Sequence, residues 1–144
     1  MCVAVLDRPL WVEYPKDEET FQLESEFLVG TDLLVAPVTE ANANSVQVYF
    51  PGSQPWYDIE TFQRHSAPAR KTVAAPLRKI PVYQRGGSII PRKERIRRSS
   101  SLTHNDPFTL VAALDEQVGR GRGIGKQVGV EPIADSHASQ PVAA

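Results

Sequence analysis

Cysteine is nearly absent from these 144 residues: Cys2 stands alone. A lone cysteine excludes an internal disulfide and any thiolate metal site, and gives only slight weight to a reducing compartment. An excess of one charge is missing too, since 16 Lys and Arg face 17 Asp and Glu for a formal net charge of −1. That balance gives neither nucleic acid nor an anionic membrane a bulk electrostatic reason to bind. No run approaches the ~18 apolar residues that a membrane-spanning helix needs. The apolar start, residues 1–6, is shorter than a signal-peptide core, lacks a basic stretch before it and runs into Asp7-Arg8-Pro9. As written, the chain is expected to stay in the cytosol.

Long helical stripes are also lacking. What is present is 41% hydrophobic and 23% charged residues in a length that suits one domain with a modest core. Twelve prolines fall between short apolar runs. The runs are Leu10-Trp11-Val12, Phe27-Leu28-Val29, Leu33-Leu34-Val35, Val46-Gln47-Val48-Tyr49-Phe50, Ile80-Pro81-Val82-Tyr83, Ser88-Ile89-Ile90 and residues 108–114. Short β-branched or aromatic runs bounded by Gly, Pro, Asn or Ser predict strands with tight connections, so the middle reads as an all-β sandwich or barrel. In the fourth run Val46, Val48 and Phe50 share one face and Gln47 and Tyr49 the other, a half-buried strand. Residues 17–26 are the one helical or turn segment, with Thr20 as a capping residue. Gly30 suits a positive φ, and Arg85-Gly86-Gly87 predicts a turn. The basic stretch Arg92, Lys93, Arg95, Arg97, Arg98 reads as a solvated loop or strand face. Residues 117–144, rich in Gly and then in Ala and Ser, bury too little apolar surface to offset chain entropy and are expected to be disordered.

Catalytic constellations fail one at a time. No Gly-x-Ser-x-Gly elbow exists. His65, His104 and His137 lack metal-ligand spacing and read as surface histidines. The glycines of residues 119–129 do not end in Gly-Lys-Ser or Gly-Lys-Thr, so they form no phosphate loop. Arg120-Gly121-Arg122-Gly123 resembles an RNA-binding tract only superficially, and Arg97-Arg98-Ser99-Ser100 suits a basophilic kinase, a common motif. Glycoside hydrolysis needs two facing carboxylates, about 5 Å apart in a retaining enzyme. The candidates are Asp32, Glu40, Asp58, Glu60, Asp106 and Asp115, and none has a recommending context. Asp58 in Trp56-Tyr57-Asp58 is the most tempting, because aromatics stack on sugars. The structural alternative puts Trp56 and Tyr57 in the core and Asp58 in a turn as a hydrogen-bond acceptor.

Five blocks in order carry a resemblance: residues 8–15 (RPLWVEYP), residues 27–38 (FLVG and LLVAPV), residues 48–52 (VYFPG), Trp56-Tyr57-Asp58, and residues 80–91 (IPVYQRGGSIIP). Together they resemble glycoside hydrolase family 31, and the likeness covers about 109 of 144 residues. It implies a mostly β chain: the end of a TIM barrel (residues 1–32), a partial antiparallel β-sandwich, the family's proximal C-terminal domain (residues 33–116), and a tail unlike the family (residues 117–144). It implies a retaining α-glucosidase as the parent activity, with no cofactor.

Within the family, Arg97-Arg98-Ser99-Ser100 followed by Asp106-Pro107-Phe108-Thr109-Leu110 is most similar to a branch that trims glucose from N-glycans in the endoplasmic reticulum, a catalytic α subunit working with a β subunit. The family's nucleophile and acid/base aspartates lie on earlier barrel strands whose motifs do not occur here. No catalytic, substrate-binding or metal residue is therefore assigned, and the chain alone is expected to be inactive. Both ends depart from the family pattern, as from an incompletely read gene, an alternative transcript or a frameshift, and the sandwich is expected to lose a strand and expose a sheet edge. The competing expectation is a non-catalytic module that docks on glycan or on the full-length enzyme.

Overall fold

The computed structural model describes residues 7–115 and, by backbone alone, residues 130–132. The described residues divide into two compact units: residues 7–88 with 113–115, and residues 89–112 with 130–132.

The first unit is built on a six-stranded antiparallel sheet of order β1-β2-β3-β8-β5-β6. Its strands are β1 (Asp7–Pro9), β2 (Phe27–Val29), β3 (Leu33–Val35), β5 (Trp56–Asp58), β6 (Arg64–His65) and β8 (Val82–Arg85). A two-stranded ribbon, β4 (Ser45–Phe50) with β7 (Ala69–Ala74), covers it. Leu10, Leu28, Leu34 and Trp56 from the sheet side meet Val48 and Phe50 from the ribbon in one buried cluster. Phe50 meets Tyr83 of β8 edge-on at 4.8 Å. Burial of this cluster is the dominant favourable term, at roughly 25 cal/mol per Å² of apolar surface.

Short strands follow from the punctuation. Gly30, at φ 64°, turns β2 back onto β3, where Leu28 lies opposite Leu34. The strands on either side of residues 32 and 33 thus pair within one sheet. Val82 pairs with Val35 and Gln84 with Leu33, so residues 7–35 share a sheet with the later strands. After β8 the Gly86 amide donates to Pro55 O at 2.7 Å. A Cβ there would stand 2.9 Å from that oxygen and 3.0 Å from Leu114 O, so only glycine fits without backbone displacement.

One apolar run departs from its strand expectation. Leu10-Trp11-Val12 lies in a four-residue helix, α1 (Leu10–Glu13), led by Pro9 at φ −64°. Burial is one-sided rather than alternating: Leu10 is buried and Tyr14, four residues on, packs on the same core, while Trp11 and Val12 are exposed. The segment 17–26 carries the expected turn as a 3₁₀ helix, Glu18–Gln22. Asp17 caps it by accepting from the Glu19 amide, and the Thr20 hydroxyl donates to Asp17 O at 2.6 Å.

The half-buried expectation for β4 holds for its first three residues only. Tyr49 is 4% exposed although it points away from Val48 and Phe50. Its hydroxyl donates to Asp17 Oδ2 at 2.7 Å, its amide donates to Glu26 Oε1 at 2.9 Å, and Arg70 lies over its ring. A carboxylate thus satisfies the strand amide that no neighbouring strand reaches.

The second unit is a three-stranded antiparallel sheet, β9 (Ile89–Arg92), β10 (Thr109–Ala112) and β11 (Val130–Pro132), with β10 central. Its β9–β10 connection holds the basic stretch and a 3₁₀ turn, Ser100–Thr103. The disorder expected for residues 117–144 falls outside the described residues except at β11. No helix among the described residues is long and apolar enough to cross a membrane.

Candidate functional site

The site to test is the Asp58 corner, because the sequence singles it out. β5 sits between β8 and β6, so alternation turns Trp56 and Asp58 to one face of the sheet and Tyr57 to the other. Trp56 is 0% exposed, and its indole N–H donates to Pro51 O at 3.1 Å. Tyr57 is half-buried and donates its hydroxyl to Leu114 O at 2.9 Å. The aromatic pair therefore offers no open sugar platform through Trp56.

Asp58 ends the strand in a closed turn. Its Oδ1 accepts from the amides of Glu60 and Thr61, both at 2.8 Å, and its Oδ2 accepts from Lys79 Nζ at 3.2 Å. Phe62, at φ 56°, donates its amide to Asp58 O and completes the turn. Burial raises the carboxyl, but the two amides and the Lys79 ammonium outweigh it and hold Asp58 below the usual carboxylate range. Lys79 also binds Glu60 Oε2 at 3.1 Å. Of the six carboxylate candidates, Asp58 and Glu60 come to a common partner, and that partner is the single Lys79 ammonium, which bridges them.

The other candidates disperse. Asp32 accepts from Arg85 at 3.1 Å, and Glu13 shares the same guanidinium at 3.4 Å. Glu40 is exposed on a loop rimmed by Pro37, Leu77 and Ile80. Asp115 packs beside Gly87. Asp106 belongs to the second unit, where it is 7% exposed and holds two arginines.

A cleft of about 380 Å³ opens beside Asp58, lined in part by Thr61, His65, Lys71, Lys79 and Tyr83. The surface expectation for His65 is corrected here: it is 7% exposed, stacked on Phe50 at 4.9 Å and edge-on to Tyr83 at 5.2 Å. The two-residue strand β6 carries it inward, a placement that depends on pairing with β5. Burial and the Lys71 charge hold its pKa below the usual value, so it is neutral near pH 7. His104 is exposed, and His137 lies outside the described residues. No group of His, Cys, Asp or Glu among the described residues could hold a metal ion.

The sequence reading missed two charged residues. Glu26 is 3% exposed, with Oε1 on the Tyr49 amide and Oε2 buried without a hydrogen bond. Burial raises its pKa to about 7 against the smaller effects of that hydrogen bond and Arg70. Arg85 gathers Glu13, Asp32 and the Tyr14 hydroxyl. Neither had a local signal beyond a charge placed next to an apolar run.

Residues 4–90 match the family described as "Glycosyl hydrolase family 31 C-terminal domain". The chain is 50% identical over 111 residues to neutral alpha-glucosidase AB of Mus musculus, covering 76% of this chain and 12% of that protein. Among solved structures, it is similar to a GH31 dextranase of Flavobacterium johnsoniae (38% identity, TM-score 0.71, 77% of this chain, 14% of that chain). It is likewise similar to the ER glucosidase II heterodimeric complex of the catalytic subunit with the binding domain of the regulatory subunit (37% identity, TM-score 0.73, 77% of this chain, 12% of that chain). The chain spans about 12% of the length of the curated relative. On the family match over residues 4–90, joined to half-identity with that relative and a shared antiparallel β architecture, the chain belongs to glycosyl hydrolase family 31.

Proposed function

We propose that this chain is a non-catalytic β portion of an α-glucosidase that removes terminal α-linked glucose from N-glycans, and that it is inactive alone. In this reading the intact enzyme is a glucosidase II-type catalytic α subunit in the endoplasmic reticulum lumen, partnered by the glucosidase II β subunit. Residues 1–32 and 33–116 correspond to the close of its barrel and to its proximal sandwich. Catalytic, substrate-binding and metal residues of this chain: none.

The observation that carries the inactivity is the fate of Asp58. A retaining glycosidase needs a free carboxylate facing a second one across the sugar bond. Asp58 instead spends both oxygens on its own turn and on Lys79. Purified chain incubated with a chromogenic α-glucoside should release chromophore no faster than buffer. Turnover that an Asp58→Ala change abolishes would overturn the assignment.

A second reading is a module that docks on glycan or on the full-length enzyme. It draws support from Trp11 (47% exposed), Val12 (46%) and Phe21 (55%), carried on α1 and the adjoining 3₁₀ helix. Aromatic and aliphatic side chains exposed together mark interaction surfaces more often than isolated ones do. Pull-down of a full-length family enzyme by the chain, lost in a Trp11→Ser/Phe21→Ser variant, is the expected result. Failure to retain that enzyme or any arrayed glycan would dismiss this reading.

A further inference from the structure

Lys71 stands in β7 where strand alternation calls for an apolar side chain. The β4–β7 register sets Ala69 opposite Phe50, Lys71 opposite Val48 and Val73 opposite Val46. Residues opposed in an antiparallel pair point to the same face, and Val48 and Phe50 point into the core. Lys71 is therefore an inward-facing cation. It is half-buried, and it makes no hydrogen bond or ion pair with any described residue. An ammonium turned inward without a partner is costly until something supplies negative charge.

The six-stranded sheet sets polar groups against it. Tyr83 of β8 lies opposite Asp58 of β5, and His65 of β6 lies opposite Trp56. Asp58, His65 and Tyr83 thus share the face that the ribbon covers, and with Lys71, Thr61 and Thr72 they line the cleft of about 380 Å³. His65 is 7% exposed, and its Nδ1 is buried without a hydrogen bond. The Tyr83 hydroxyl has no hydrogen bond to any described residue either.

The free capacity of this cleft lies in donors. Asp58 is the one carboxylate in its lining, and it already accepts from two amides and from Lys79. Lys79 is taken in turn by Asp58 and by Glu60, whose side chain is 62% exposed and reaches it from the solvent side. Lys71, His65, Tyr83 and the two threonines keep spare capacity, and every one of them can donate. The lining charges, Lys71 and Lys79 against Asp58, sum to +1. A neutral sugar needs acceptors as well as donors, whereas an oxyanion needs donors and a counter-charge.

We infer that this cleft binds a small oxyanion of the phosphate or sulfate type, with the Lys71 ammonium as its counter-charge and His65 and Tyr83 as hydrogen-bond donors. The cleft is many times the roughly 30 Å³ that one water occupies, so it admits an anion carried on a sugar as well as a free one. Binding acts back on His65. Burial and the Lys71 charge from β7 disfavour its cationic form, and Asp58 of β5 favours it. An anion beside Lys71 offsets both unfavourable effects and stabilises the imidazolium.

The test follows the His65 imidazole by NMR while the full chain is titrated with inorganic phosphate, glucose 6-phosphate or glucose at constant ionic strength. The His65 resonance is identified by its loss in His65→Gln. His104, exposed in the other unit, reports non-specific anion binding. Phosphate should shift the His65 signal saturably, with a Kd of about 1 mM or tighter. It should also raise the titration midpoint of His65 by about half a pH unit or more. Lys71→Gln, which breaks no hydrogen bond, should weaken binding about ten-fold or more, and Lys71→Arg should keep most of it. Tighter binding of glucose 6-phosphate than of phosphate identifies the occupant as an ester, and no tighter binding identifies it as the free ion. Glucose binding as well as phosphate, a His65 response no different from that of His104, or unchanged affinity in Lys71→Gln would each overturn the assignment.

Discussion

Replacing Trp56 with alanine is expected to cost about 4 kcal/mol, within the roughly 3–5 kcal/mol typical of emptying a large aromatic site. Trp56 is the largest fully buried side chain, on a strand hydrogen-bonded on both sides, so the wall around it cannot easily collapse. The change also strips Pro51 O of the indole N–H, leaving a buried acceptor unmatched. Domains of this size have about 5–15 kcal/mol in total, so such a loss takes most of the lower part of that range. Urea unfolding followed by circular dichroism should show the midpoint fall with little change in slope. A shift worth less than about 1 kcal/mol would mean that Trp56 is not a central core residue.

The second large effect is pH dependence from Glu26. Its folded pKa is raised from 4.5 to about 7 by burial, so the folded state binds a proton more tightly than the unfolded chain. Its contribution is fully present below pH 4.5 and is lost as pH rises through 7. The span of the shift corresponds to about 3 kcal/mol. The groups that act on it are the Tyr49 amide and Arg70, and it in turn bears on Tyr83. His65 works in the opposite direction: its pKa is lowered, so its contribution is present above pH 6.5 and falls as the solution is acidified. Comparison with Glu26→Gln separates the two, since glutamine keeps the acceptor for the Tyr49 amide and does not titrate. The native chain should lose about 3 kcal/mol relative to Glu26→Gln between pH 4.5 and 8. Parallel stability curves across that range would show that Glu26 does not titrate in the window.

The strand-rich character was legible because it is local. Val82 and Tyr83 before Gly86-Gly87, and Phe27-Leu28-Val29 before Gly30, carry their own start and stop signals, and the turns appear where the glycines stand. The cap is equally short-range, but it falls on Asp17, which accepts from the Glu19 amide, and not on the expected Thr20, which lies inside the turn and donates to Asp17 O. The turn role of Asp58 followed from its position after Trp56-Tyr57, and its two amide hydrogen bonds span only two and three residues. Leu10-Trp11-Val12 misled because a three-residue apolar run has no period; Tyr14, four places beyond Leu10, settles the helix by packing on the same core.

The sequence by itself determined the family, the antiparallel β character and the turn glycines. These rest on residue order, and short-range sterics read that order directly. Only the tertiary structure decided which charges are buried and what they hold. Glu26 reaches Tyr49 across 23 residues, Arg85 reaches Glu13 across 72, and Asp106 pairs with Arg97 from nine positions away. His65 became a core residue because Phe50 and Tyr83, from other strands, close around it. Burial is a property of what the rest of the chain brings alongside, and a charge acquires its partner and its pKa only once that neighbourhood exists.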